Sequence, residues 1–133
     1  MGFVFDPLSS KVISAAVQVH KALGPGFLEG VYEEALKIEL ASRDIRFEAQ
    51  KQTEVVYAGK VVGNHVLDLL VEDQLVVELK AVSDLEDVHF AQVRSYLKAT
   101  GCKVGLLMNF GGAKIAVKRV VLGYQDSDGD AAR

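Results

Sequence analysis

Two runs of mostly branched aliphatic residues, Val66-Leu67-Asp68-Leu69-Leu70-Val71 and Leu75-Val76-Val77-Glu78-Leu79-Lys80, are separated only by the polar triplet Glu72-Asp73-Gln74. So short a connection between two such runs constrains the chain to a β-hairpin. With the turn centred on Asp73, Leu70 faces Val76 and Asp68 faces Glu78. Side chains alternate along a strand, so Glu78 and Lys80 share a face and Asp68 joins them there. Directly opposed residues have Cβ atoms roughly 4.5–5.5 Å apart, and like charges in that relation destabilise a sheet. A cation is needed between them. Lys80 supplies part of that charge if the hairpin is a partly solvated edge where Asp, Glu and Lys simply pair. The other solution is a hard divalent ion that takes the carboxylates as oxygen ligands.

The chain has 133 residues, half of them hydrophobic, which is enough for one compact domain with a core. We expect that domain over residues 1–124. No apolar run approaches the roughly 18 residues of a membrane span, and the N-terminus lacks a signal-peptide pattern, so a cytoplasmic protein with no membrane partner is expected. The single cysteine, Cys102, excludes an internal disulfide framework or a thiolate-held iron–sulfur cluster within one chain, and reads as a small, partly buried residue. A formal net charge of −3 argues against holding nucleic acid by a general basic surface. Local contacts are still allowed, because Asp126, Asp128 and Asp130 lie in the polar C-terminal tail and a bound divalent metal adds positive charge where a phosphate would go.

Ser9 or Ser10 is positioned to cap a helix through Val12, Ile13, Ala16, Val17, Val19, Ala22 and Leu23, which Gly24-Pro25-Gly26 breaks. A second helix is expected from about Phe27 to Arg43. Strands over Phe47 to Tyr57 and Val61 to Val71 surround a turn at Ala58-Gly59-Lys60, and the strand with Glu78 and Lys80 follows. Ser83 or Asp84 then caps a helix with Leu85, Val88, Val93, Tyr96 and Leu97 at helical spacing, ending near Gly101. Val104 to Phe110 and Ile115 to Val121 complete a mixed α/β sheet flanked by helices, since a strand–helix–strand crossover favours parallel pairing while hairpins are antiparallel. The tail, 125–133, is expected to be disordered. Its Asp126-Ser127-Asp128-Gly129-Asp130 resembles the opening of a calcium loop but lacks glycine at position six and a closing glutamate.

Gln92 and Tyr96 stand four apart on the third helix, where they could orient a lysine, a water or a phosphate, or be an exposed polar residue and a core aromatic. Glu29 and Glu33 are also four apart. Glu29, in the first turn, complements the helix dipole, and Glu33 and Glu34 are expected to face solvent. His20 is either a satisfied helix residue or a further site member, with the first reading preferred; His89 and Arg94 are taken as surface residues.

The segment Gly26-Phe27-Leu28-Glu29-Gly30-Val31-Tyr32 resembles the signature of the GxxExxY family of the PD-(D/E)XK nuclease superfamily. The resemblance runs from about Val12 to Val121. It includes Asp68, the Glu78-Leu79-Lys80 triplet, Gln92 with Tyr96, and Gly105-Leu106-Leu107-Met108-Asn109-Phe110; Gln-x-x-x-Tyr after Glu-x-Lys is also similar to RecB-type nucleases. It implies an α/β, restriction-endonuclease-like core with a mixed sheet of about five strands. By that mapping Glu29 is the helix acid, Asp68, Glu78 and the Leu79 carbonyl hold Mg²⁺ or Mn²⁺, Lys80 is the lysine of the triplet, and Gln92 and Tyr96 are accessory. Whether His20 or Glu29 fills the first-helix place stays open. The activity so implied is metal-dependent hydrolysis of a nucleic-acid phosphodiester, DNA first, with a homodimer as a possible form because cutting two strands takes two sites. The alternative is a module that keeps the scaffold without useful turnover and binds nucleic acid or a protein partner.

Overall fold

The protein is described by a computed structural model over residues 6–122. The element order is α1 (Pro7–Leu23), α2 (Glu29–Ser42), β1 (Phe47–Tyr57), β2 (Lys60–Val71), β3 (Leu75–Lys80), α3 (Asp87–Thr100), β4 (Val104–Asn109) and β5 (Ala116–Val121). The tail at 125–133, with its aspartates, lies outside the described residues.

The five strands lie in the sheet order β1-β2-β3-β4-β5. Neighbours joined by turns or a short loop pair antiparallel, while β3 and β4, joined through α3, pair parallel. That is the mixed sheet the sequence predicts. The strands covered on both faces, β3 and β4, are almost wholly buried and mostly aliphatic; β1 alternates exposed and half-buried positions as an edge strand does.

Two hydrophobic layers sandwich the sheet. On one face Val12, Ala16 and Val19 of α1 and Tyr32, Leu36 and Leu40 of α2 pack against Leu69, Val71, Val77, Leu79 and Met108. On the other face Val93, Tyr96 and Leu97 of α3 pack against Leu70, Val76 and Leu107. No helix among the described residues is long and apolar enough to cross a membrane.

Two helix starts differ from the sequence expectation. The cap of α1 is Asp6, whose carboxylate accepts from the Leu8 N–H (3.1 Å) and the Ser9 hydroxyl (2.6 Å), with Pro7 opening the helix. Ser9 is therefore inside the first turn, because an ionised Asp before Pro is the stronger cap. α3 begins at Asp87 rather than after Ser83 or Asp84, since the His89 imidazole Nδ1 accepts the N–H of Glu86 (2.9 Å) and fixes the start there. Val88 is consequently 65% exposed, and the buried face of α3 is Val93, Tyr96 and Leu97.

Between α1 and α2, Gly24 at φ 72° ends the first helix as Gly24-Pro25-Gly26 predicts. The buried Tyr32 hydroxyl donates to the Gly24 carbonyl (2.6 Å) and accepts from the Phe27 N–H (3.2 Å). Tyr32 thereby pins the turn that precedes its own helix.

Candidate active site

The β2–β3 pair starts as a regular ladder with Val71 opposite Leu75, Leu70 opposite Val76 and Leu69 opposite Val77. This is the register predicted from the turn, where Glu72 and Asp73 take φ of 52° and 57°. One step further, at Asp68 and Glu78, the backbone ladder stops and side chains take its place. The Asp68 N–H donates to Glu78 Oε2 (3.0 Å), and the Leu79 N–H donates to Asp68 Oδ2 (3.0 Å). Each carboxylate thus satisfies the other strand's backbone.

The neighbouring strand is disturbed at the same step. Ala49 pairs with Leu69 and Lys51 with Leu67, while Gln50 between them sits at φ 51° and has no partner across from it. Leu67 and Leu70 both belong to the layer under α3, whereas Leu69 belongs to the opposite layer. The in-and-out alternation of β2 therefore slips by one residue at Asp68. Local irregularity of this kind re-aims a side chain at the cost of regular pairing.

Electrostatics follow from the opening. Glu78 is only 3% exposed, and burial together with the adjacent Asp68 charge pushes its carboxyl up to about 8, against which the Lys80 charge pulls. Glu78 holds its proton because a buried carboxyl beside another acidic side chain ionises only at a cost. Lys80 is half-buried at the end of β3, and among the described residues its amine forms no ion pair. Tyr96 reaches the same place from α3: burial, then the Glu78 and Asp68 charges, raise its hydroxyl to about 12. Gln92, one turn earlier, is half-buried, and among the described residues its side chain makes no hydrogen bond, although its carbonyl accepts from the Ser95 hydroxyl at 2.7 Å.

The other expected residues fall differently. Glu29 is the first residue of α2 and is exposed. Among the described residues no group of three or more His, Cys, Asp or Glu side chains is placed to hold a metal ion, so the Asp68–Glu78–Glu29 convergence is not formed. Glu33, expected in solvent, is half-buried and accepts from Gln50 Nε2 (2.8 Å). Burial, and further the Asp68 charge, raise its carboxyl, so Glu33 is the α2 acid that senses the pair. One helical turn separates it from Glu29, and α2 directs that later turn toward β1. His20 is a satisfied buried residue, with Nε2 at 3.2 Å from the Phe110 carbonyl and 3.0 Å from that of Gly112.

Residues to which the sequence assigned no role of their own complete the surroundings. Asn109 Oδ1 accepts from the N–H groups of Val82 and Gly111 (3.0 Å each), and its Nδ2 donates to the Val82 carbonyl (2.9 Å), so a buried amide anchors the chain just after Lys80. Gly111 lies against this segment so closely that a Cβ would stand 2.3 Å from the Val82 carbonyl oxygen. His65, on β2, meets the Tyr96 ring edge-on at 4.6 Å. The only sequence signal for it was position, three residues before Asp68.

The donor set fits a hard divalent ion. Asp68 and Glu78 each commit one oxygen to a backbone N–H, leaving Oδ1 and Oε1 uncommitted by those bonds, and the buried surplus of negative charge favours a cation. Two carboxylates are few for an all-protein cage, but they are the kind of donor such an ion takes.

A five-stranded mixed sheet between helices, with acidic residues at the opening of its central hairpin, defines a restriction-endonuclease-like α/β fold. The chain belongs to the PD-(D/E)XK nuclease superfamily, whose family model matches residues 6–120. Among solved structures it is similar to the crystal structure of SSO0001, with a TM-score of 0.57 at 19% identity over 74% of this chain and 52% of that one. The chain therefore spans about half the length of that structure, and the likeness is one of fold. No curated protein matches it in sequence.

Proposed function

We propose that this protein is a metal-dependent nuclease that hydrolyses phosphodiester bonds of nucleic acid, with DNA as the substrate and Mg²⁺ or Mn²⁺ as the ion. The observation that carries the reading is the replacement of the β2–β3 ladder by the Asp68 and Glu78 carboxylates. A sheet gives up backbone pairing at its centre only at some cost, and the residues that fill the gap are those that bind a cation.

In this reading Asp68 and Glu78 hold the ion, with the Leu79 carbonyl as a main-chain ligand. Bound there, the ion supplies Lewis acidity and a water of lowered pKa. Lys80 holds the attacking water or neutralises charge that develops on the phosphoryl oxygens, a contribution that grows in a site shielded from solvent. Tyr96 stays protonated well above neutral pH and so remains a hydrogen-bond donor beside the acids. Gln92, on the same helix face, orients the phosphate. Glu33, rather than Glu29, is the α2 acid of the site, and it holds Gln50 at the kink of β1.

The motif around Tyr32, whose hydroxyl secures the Gly24–Phe27 turn, supports a place within the GxxExxY group. A cytoplasmic setting and two copies acting on a duplex complete the proposal. A second reading, a module that binds a protein partner without turnover, has support in the outer side of α2 and the residue before it, where Leu28 is 83% and Ile38 72% exposed.

The test is a panel of labelled DNA and RNA substrates incubated with Mg²⁺, Mn²⁺ or chelator. The parent protein should cut in the presence of metal only, and Asp68→Ala and Lys80→Ala should be folded and inert. Cleavage by either variant at the parent rate, or cleavage indifferent to chelator, contradicts the assignment.

A further inference from the structure

Ser95, on α3, has one hydroxyl proton and two neighbours that could share it. Its Oγ lies 2.7 Å from the Gln92 carbonyl oxygen, which can only accept, and 3.2 Å from His65 Nε2. With the proton given to Gln92, Oγ has only lone pairs to offer the imidazole, so Nε2 must carry the hydrogen. The bond spans from β2 to α3, between residues thirty apart in sequence. At the same time the imidazole edge meets the Tyr96 ring with centroids 4.6 Å apart and planes at 71°. One side chain therefore grips two successive residues of α3, a backbone-anchored hydroxyl and an aromatic ring.

We propose that His65 is a positioning residue of the cleft: held by Ser95, it fixes the Tyr96 ring against β2, and cleavage depends on it through Tyr96. The proposal rests on the nuclease reading above for its kinetic part, while the anchor itself does not. Tyr96 is the element through which the effect passes, because the ring that meets the imidazole packs in one layer with Leu67 and Leu70, the β2 residues on either side of the Asp68 step. Imidazole suits the role because it joins a ring edge and a ring N–H in a small side chain; the indole of tryptophan, the other side chain with both, is far larger. Phenylalanine keeps the edge and loses the donor; glutamine keeps a donor and loses the ring.

The experiment uses the full chain with His65→Phe, His65→Gln, Ser95→Ala, Tyr96→Phe and the His65→Phe/Tyr96→Phe double variant. Initial rates of metal-dependent cleavage are measured alongside ¹⁵N spectra of the imidazoles and the thermal midpoint. Each His65 variant is expected to lower kcat about tenfold with KM unchanged, as misplacement of a working group does. In the Tyr96→Phe background His65→Phe should cost nothing more. The parent spectrum should show His65 protonated at Nε2, and Ser95→Ala should abolish that preference.

A raised KM at constant kcat means that His65 touches the substrate itself and overturns the proposal. So do additive losses with Tyr96→Phe, or an Nε2 that carries no proton in the parent. If the parent cuts no nucleic acid while the tautomer and its dependence on Ser95 are as stated, the nuclease reading falls and the anchor stands. If the parent cuts and the His65 variants cut equally well, the positioning role falls and the nuclease reading stands.

Discussion

The two ends of the β2–β3 pair belong to the same two aliphatic runs and do opposite things. Toward the turn, Leu69, Leu70 and Val71 meet Val77, Val76 and Leu75 in an unbroken ladder, with every side chain buried in one of the two hydrophobic layers. One residue farther, Asp68 and Glu78 replace backbone hydrogen bonds with their own, and an ionisable pair enters a region that is otherwise aliphatic. The closed end fixes register and supplies stability. The open end uses that rigidity to hold two carboxylates where they repel each other. A carboxylate pair held this way needs stiff support on one side, and the ladder is that support.

The sharpest way to break the comparison is to truncate neighbours across the boundary. Asp68→Ala should reduce metal-dependent cleavage on the order of 10³-fold or more, with the protein still folded by circular dichroism. Leu69→Ala, next to it in the chain, should do the reverse. It should lower stability by about 2–5 kcal/mol in denaturant titration, as buried Leu truncations do, while the remaining folded protein keeps its metal requirement. Equal stability losses at both positions would erase the distinction between the two ends.

A second prediction concerns pH. The folded-state pKa of Glu78 is raised to about 8 from an ordinary glutamate value of 4.5, so across that window the folded protein retains a proton that the unfolded chain releases. The contribution of this group to the stability of the metal-free protein is therefore full near and below the lower value and is lost as pH rises toward the upper one. The decline should amount to a few kcal/mol, on the order of what a shift of this size implies for a buried group. Glu78→Gln should flatten the decline and leave the protein more stable than the parent at pH 8, at the expense of cleavage. A parent stability that rises over this range would contradict the origin assigned to the shift.

The smallest effect tests the chain segment beyond Lys80. Gly111→Ala forces a Cβ into the Val82 backbone and should cost about 1–3 kcal/mol, with a loss of activity because Val82 follows closely on Lys80. Unchanged stability and rate would show that the segment yields freely and that Asn109 does not anchor it.

How much of this was legible in the sequence depended on what kind of rule governed each part. The opposition of Asp68 and Glu78 followed from a three-residue polar turn, because turn length sets register and register sets pairs. The parallel β3–β4 pairing followed from the helix between them. The slip at Asp68 was not legible, because counting alternation assumes an unbroken strand, and nothing in Val66-Leu67-Asp68-Leu69 marks where pairing yields to side chains. The position of the α2 acids was similarly ambiguous. Glu29 and Glu33 lie on nearly the same face, so the sequence could not say which of them meets the sheet; Glu33 does, through Gln50. His65 and Ser95 carry no local signal, since their meeting depends on how α3 lies across β2.

The central claim is that the open end of the hairpin is a cation site made by Asp68 and Glu78. Calorimetric titration of Mn²⁺ into the parent, Asp68→Asn and Glu78→Gln proteins at pH 8 tests it most directly. The account predicts saturable binding to the parent with proton release, and loss of that binding in both variants. Binding that survives in either variant, or a parent that takes up no ion, would contradict it.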